Sequence, residues 1–293
     1  MSASIFKYLL VVLLSCFVFT AVHSLPLSGE GDIASVAAQP KALDSSSQSN
    51  SNEALSQSAP ESSLEDVLVG RPFPKNGKDL SGVLAYNRQW SAAVRQRVPD
   101  FFSKLAKSQS PNMLWIGCSD SRVPPNQVTQ LRLGEMFIHR NIANVILNSD
   151  MNSWGVIQYA VDALKVPHIV VAGHYNCGGC KAALEDTQNG LVDNWVRNIK
   201  DVYMENSEEL DCLDSEERFR KLVEYNAMRS AKMIANHPVI QEAWARGQPL
   251  SVHAWVYDVE TGLIKDLNRT VNRIESVEEI YRMKTSGKAV AQH

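Results

Sequence analysis

Two short segments of this sequence carry side chains that could bind a metal ion and do acid–base chemistry beside it. The first runs Trp115-Ile116-Gly117-Cys118-Ser119-Asp120-Ser121-Arg122. An apolar stretch ends in a thiol, and a carboxylate and a guanidinium follow at alternate positions. The second runs Val170-Val171-Ala172-Gly173-His174-Tyr175-Asn176-Cys177-Gly178-Gly179-Cys180. Another apolar stretch ends there in His-x-x-Cys, and a Gly pair opens what reads as a helix. Two thiolates and one imidazole suit zinc, which accepts soft sulfur and borderline nitrogen. Three protein ligands leave one position for water, which marks a catalytic rather than a structural site. Asp120 can accept a hydrogen bond from that water. Arg122 can keep the carboxylate ionised through two parallel hydrogen bonds.

Singly, these residues have plainer uses. A free Cys is often an inert core residue, an Asp a helix cap, an Arg half of a surface ion pair. Their grouping favours function. Cys180 makes Cys-x-x-Cys with Cys177, a spacing shared by zinc and redox sites. As a fourth ligand it would close the site and abolish turnover. It reads instead as a small core residue on the first helical turn, and pairing with Cys212 is conceivable in an oxidising compartment. Two competing functions follow: a closed Cys3His zinc module, and a thiol redox protein using Cys177 and Cys180. Only an enzyme uses Asp120 and Arg122. His139, His168, His237 and His253 lack such neighbours and read as structural.

The elements that must position these groups are legible as alternating patterns. Met113–Gly117, Met136–His139, His168–Ala172 and Ser251–Tyr257 are apolar runs of buried-strand length, with helical patterns between them. That order predicts an α/β fold with a mostly parallel β-sheet flanked by helices. Tyr257 to Leu263-Ile264 reads as a hairpin adding an antiparallel edge strand. Trp154, Ile157, Val161 and Leu164 fall at helical spacing and are expected to face the core. Phe219, Leu222, Val223, Asn226 and Ser230 begin a long helix that Pro238 ends or kinks. In parallel sheets, ligand sites gather beyond the carboxyl ends of strands. Both chemical segments therefore point at one crevice.

These residues resemble the β-class carbonic anhydrases. The Cys-x-Asp-x-Arg motif of that family is matched by Cys118, Asp120 and Arg122, and its His-x-x-Cys-Gly-Gly motif by His174, Cys177, Gly178 and Gly179. Gly134 to Asn144 is similar to the stretch between them, and the likeness runs from about Leu80 to Tyr281. Cys180 departs from the pattern, where an apolar residue is usual. The resemblance implies one Zn2+ per chain on Cys118, His174 and Cys177. The implied reaction is reversible hydration of carbon dioxide to bicarbonate and a proton, by attack of zinc-bound hydroxide on CO2. Asp120 would orient the hydroxide and Arg122 would orient Asp120. A homodimer or higher homo-oligomer is implied as well. Trp115, Arg140 and Tyr257 match the effector triad of the bicarbonate-regulated subgroup. In that subgroup bicarbonate binds beside the active site, and the Asp leaves its Arg to become a fourth zinc ligand.

The remaining sequence bounds the setting. The formal net charge is -3 and the basic residues are scattered, so nothing favours nucleic acid. The five cysteines are too few and too unevenly spaced for a disulfide scaffold. Lys7 precedes an uncharged apolar run from Tyr8 to Ala21, which is short for a bilayer span of roughly 20 apolar residues. Residues 1–24 therefore read as a secretory signal cleaved before Leu25, giving a secreted protein with no stable membrane span. The alternative is a membrane anchor through an uncleaved signal. Residues 25–78, rich in Ser, Gln and Asn around Ser45–Asn52, read as a disordered linker. The catalytic domain is expected over 79–293. Asn268-Arg269-Thr270 is a glycosylation sequon, which matters only in a secreted chain.

Overall fold

The computed structural model describes residues 70–73 and 80–284. The expected signal over 1–24 lies outside the described residues, as does the expected linker over 25–78 apart from residues 70–73. In chain order the elements are α1 (Ser81–Arg97), α2 (Phe101–Leu105), β1 (Met113–Cys118), α3 (Pro125–Thr129) and β2 (Met136–Asn141). A 3₁₀ turn (Ile142–Asn144) leads to α4 (Met151–Gln158), which runs on as a π turn (Tyr159–Ala163) into β3 (His168–His174). Then come α5 (Gly178–Leu184), α6 (Val192–Glu205), α7 (Ser207–Leu210), α8 (Ser215–Asn236), α9 (Pro238–Ala245), β4 (Ser251–Tyr257) and β5 (Ile264–Asp266).

The strands form one five-stranded sheet in the order β2-β1-β3-β4-β5. The first four are parallel, and β5 pairs antiparallel with β4, as the hairpin pattern predicts. β1 and β3 are buried almost throughout, because an inner parallel strand meets protein on both faces. Both run further than their apolar cores. Hydrogen bonding to neighbours on either side carries the ladder through Cys118, opposite Asn141, and through His174, opposite Tyr257. The backbone of both residues is thereby fixed in the sheet.

The main core lies on one face, where Leu114, Ile116, Ile169, Val171, Val252 and Val256 meet Leu222, Val223, Ala227, Ala231 and Ile234 of α8. Asp214 caps α8, accepting from the backbone N–H groups of Glu216 and Glu217. The helix ends at Asn236, and Pro238 opens α9 at its first turn, where a missing N–H costs nothing. Trp154, Ile157 and Val161 are buried as their spacing predicts, and Leu164 packs partly against the same core. The π turn was not visible in the periodicity. The other sheet face carries a smaller cluster of Trp115, Met136, Val170 and Ala172, with Trp255 beside it. Among the described residues no helix is long and apolar enough to cross a membrane.

Candidate metal centre

Cys118 ends β1 and His174 ends β3, the neighbouring parallel strand, so both lie at the same edge of the sheet. Asn176 then takes a left-handed turn at φ 58°, and Cys177 follows as the residue that caps α5. The turn brings Cys177 back over the strand ends. The three potential ligand atoms lie within 4.8 Å of one another, all on buried residues. The two sulfurs are 3.9 Å apart. This is the one cluster of its kind among the described residues, and it does not include Cys180. Cys180 is buried on the first turn of α5. Cys212 is exposed, and the four described cysteines are free.

The donor set fits a divalent cation. His174 Nδ1 lies 3.0 Å from the Tyr175 carbonyl oxygen, an arrangement that fixes the proton on Nδ1 and turns the Nε2 lone pair inward. Nε2 is buried and has no hydrogen-bond partner among the described residues. A buried imidazole nitrogen without a partner is expensive unless something positive sits before it. Contact with Cys177, reinforced by burial, pushes the Cys118 thiol far above the usual range. Cys177 is drawn down by Cys118 but raised on balance to about 12 by neighbouring Cys180 and by burial. Without a cation the pair therefore stays protonated, and a bound metal ion is what would make both thiolates stable.

Asp120 stands at the mouth of the cluster. The Arg122 guanidinium holds it ionised, with Nε donating to Oδ1 at 2.9 Å and Nη2 donating to Oδ2 at 2.7 Å. These bonds keep the carboxyl well below its usual range, outweighing partial burial. Arg122 also donates to the Asn176 carbonyl oxygen at 3.1 Å, tying the two motif segments together. Among the described residues Arg140 pairs with no carboxylate. Its guanidinium donates to the carbonyl oxygens of Cys118, at 2.9 and 2.8 Å, and of Asp120, at 2.6 Å. Trp115 is buried, and its Nε1 has no partner among the described residues. Register places Trp115, Arg140 and Tyr257 on one face of the sheet.

Other contacts around the centre are invisible to motif reading. The buried carboxylate of Glu224 accepts from Tyr175 at 2.6 Å and from Lys265 Nζ at 2.7 Å. Arg220 lies over the Tyr175 ring, 3.6 Å from its centroid. Cys118 Sγ accepts from the backbone N–H of Ala143 at 3.2 Å. The available signal was a set of polar residues, Glu224, Asn226 and Ser230, on the apolar stripe of α8. The four other histidines among the described residues make structural contacts: His139 with Ser153, His237 stacked on Trp154, and His168 with His253.

The comparisons with known proteins agree with this arrangement. A family model described as carbonic anhydrase matches residues 113–264. A carbonic anhydrase of Emericella nidulans is 50% identical over 183 residues, covering 62% of this chain and 80% of the relative. One of Saccharomyces cerevisiae is 31% identical, covering 66% of this chain and 90% of the relative. Among solved structures, the Coccomyxa β-carbonic anhydrase in complex with acetazolamide has a TM-score of 0.65 and 41% identity, covering 68% of this chain and 90% of its own. A tetrameric β-carbonic anhydrase of Sordaria macrospora has a TM-score of 0.63 and 40% identity, covering 66% and 98%. Sequence, sheet order and ligand cluster converge, and the chain belongs to the β-class carbonic anhydrases, which makes it a lyase.

Proposed function

We propose that this chain hydrates CO2 reversibly to bicarbonate and a proton at one Zn2+ held by Cys118, His174 and Cys177. The observation that carries the reading is the buried three-ligand cluster with a fixed carboxylate at its mouth: Asp120 Oδ2 lies 3.6 Å from His174 Nε2. Zinc bound there would supply Lewis-acid activation of water, making it a nucleophile toward CO2. The protein residues do the rest. Asp120, ionised by Arg122, accepts a hydrogen bond from the attacking water and so sets its orientation. Arg140 holds the backbone of Cys118 and Asp120, fixing the carboxylate relative to the ligand sulfur. His174 keeps its tautomer through Tyr175.

A second copy of the chain completes the molecule in this reading. α1 has no buried residue, and Leu84 and Trp90 on it are exposed. We assign that surface to a homodimer or higher homo-oligomer. The closed Cys3His module is disfavoured because Cys180 stands outside the cluster. The test is CO2 hydration by the mature chain alongside metal analysis. One zinc per chain and a rate abolished by chelation are expected. Zinc-loaded protein that leaves the uncatalysed rate unchanged would refute the assignment.

A further inference from the structure

The Ala143 N–H that reaches Cys118 Sγ belongs to a constrained turn. Ala143 and Asn144 take left-handed backbone conformations, at φ 60° and 48°, although neither is glycine. Such conformations persist only where their surroundings enforce them. Three neighbours do so here. Asn141 closes the turn on Val145, donating from Nδ2 to its carbonyl oxygen at 2.8 Å and accepting its N–H at 2.9 Å. Gly179 presses against it so closely that a Cβ there would sit 2.9 Å from Ile142 Cγ2 and 3.0 Å from Ala143 Cβ. From α8, Asn226 donates from Nδ2 to the Ala143 carbonyl oxygen at 2.8 Å.

Asn226 is 2% exposed and interrupts the apolar stripe of α8 between Val223 and Ala227. A buried amide in that position needs a partner of its own kind. We propose that Asn226 is a positioning residue for the metal centre, acting on Cys118 through Ala143. The two polar groups of Ala143 point in different directions, its N–H to the ligand sulfur and its C=O to Asn226. Both directions are set by the same φ and ψ, so fixing the carbonyl aims the N–H. A hydrogen bond from a peptide N–H to a ligand sulfur steadies its negative charge and orients its lone pairs. If Ala143 relaxed to the right-handed region, that bond would be lost. The proposal rests on the assignment of Cys118 as a metal ligand.

The test uses the full chain loaded with Co2+ or Zn2+ alone. It compares wild type, Asn226→Ala and Ser230→Ala. Ser230 is the matched control: it is buried on α8, and its Oγ accepts the N–H of Ile146 from the same loop at 3.3 Å, away from the sulfur. Asn226→Ala should shift the sulfur-to-cobalt charge-transfer band and release zinc to a chelator about tenfold faster or more, the usual range for groups behind a ligand. Ser230→Ala should leave the band in place. Equal behaviour of the two variants overturns the proposal. Should Asn226→Ala not accumulate as folded protein, Asn226→Ser, whose shorter donor cannot span the gap, carries the same comparison. Wild type that takes up neither metal would refute the proposed function and this inference with it. Metal-loaded wild type with an unaffected Asn226→Ala sinks the positioning role alone.

Discussion

Arg122 grips Asp120 three times: Nε and the backbone N–H both donate to Oδ1 at 2.9 Å, and Nη2 donates to Oδ2 at 2.7 Å. Oδ2 is also the oxygen that faces His174 Nε2. The carboxylate is thus ionised, immobilised and directed at the cluster without being part of it. Asp120→Ala should keep its metal, because the three ligand atoms are untouched, and lose about 10²-fold or more in kcat. Arg122→Lys should also lose rate, since an ammonium cannot reproduce the fork. Metal content and hydration rate measured together decide the matter. Full activity in Asp120→Ala would remove the carboxylate from the mechanism.

The ligand set predicts a contrast between two buried cysteines, Cys118 inside the cluster and Cys180 outside it. Cys118→Ser should purify without stoichiometric zinc, because a hydroxyl is a poor substitute for a thiolate. Cys180→Ser should retain both zinc and turnover, since Cys180 is a small buried residue outside the cluster. Loss of zinc in Cys180→Ser would revive the closed Cys3His reading. Loss of activity with zinc retained would point to thiol chemistry.

The parts of the site that could be read in advance are those whose chemistry dictates a local spacing. Cys118 closes β1, Asp120 and Arg122 follow in the turn beyond it, where the backbone N–H and guanidinium of Arg122 both reach the Asp120 carboxylate, and His174 and Cys177 are separated by one tight turn. The strands were legible because inner parallel strands are apolar on both faces. Their final residues were not, since Cys118 and His174 are polar yet continue the ladder. The contacts behind the ligands were hidden for another reason. Ala143 acts through its backbone, which leaves no trace in residue type, and its partner Asn226 is 83 residues away. Nothing in the residue type of Arg140 announces the two carbonyl oxygens it holds.

Glu224 gives a pH-dependent prediction for stability. Burial raises its pKa, but hydrogen bonds from Lys265 and Tyr175 outweigh that and leave it below the ordinary carboxylate value. A lowered native pKa stabilises the fold at pH values above the unfolded carboxylate range, and that contribution disappears as pH falls through the native value. Glu224→Gln should therefore cost about 1–3 kcal/mol near neutrality, the usual range for a buried charge-assisted hydrogen bond. The gap from wild type should narrow on acidification below the carboxylate range. Denaturant midpoints across pH would show this, and a gap that stays constant or widens in acid would contradict it.

Export is the prediction for the segment that precedes the fold. We propose that the chain is cleaved before Leu25 and secreted. Asn268 is exposed, so its sequon is accessible to a glycan. The mature protein should begin near Leu25 on N-terminal sequencing and be found in the medium. Bulk protein that begins at Met1 or Ser2 would exclude cleavage.

The final prediction concerns bicarbonate as an effector. Trp115 Nε1 is buried without a partner, and the indole lies so close to Gly117 that a Cβ there would meet Nε1 at 2.4 Å. Arg140 stands opposite Gly117 in the register, on the same face. We propose that an anion bound at this face draws the Arg140 guanidinium off the carbonyl oxygens of Cys118 and Asp120. Those bonds hold the segment that carries Asp120, so their loss would let the carboxylate leave Arg122. A freed Asp120 could then occupy the metal's fourth position, which excludes water, with Tyr257 completing the effector pocket. Added bicarbonate should slow CO2 hydration by wild type beyond what product inhibition explains, and should have little such effect on Trp115→Ala. Wild type and Trp115→Ala that respond alike to bicarbonate would sink the switch and leave the enzyme assignment intact.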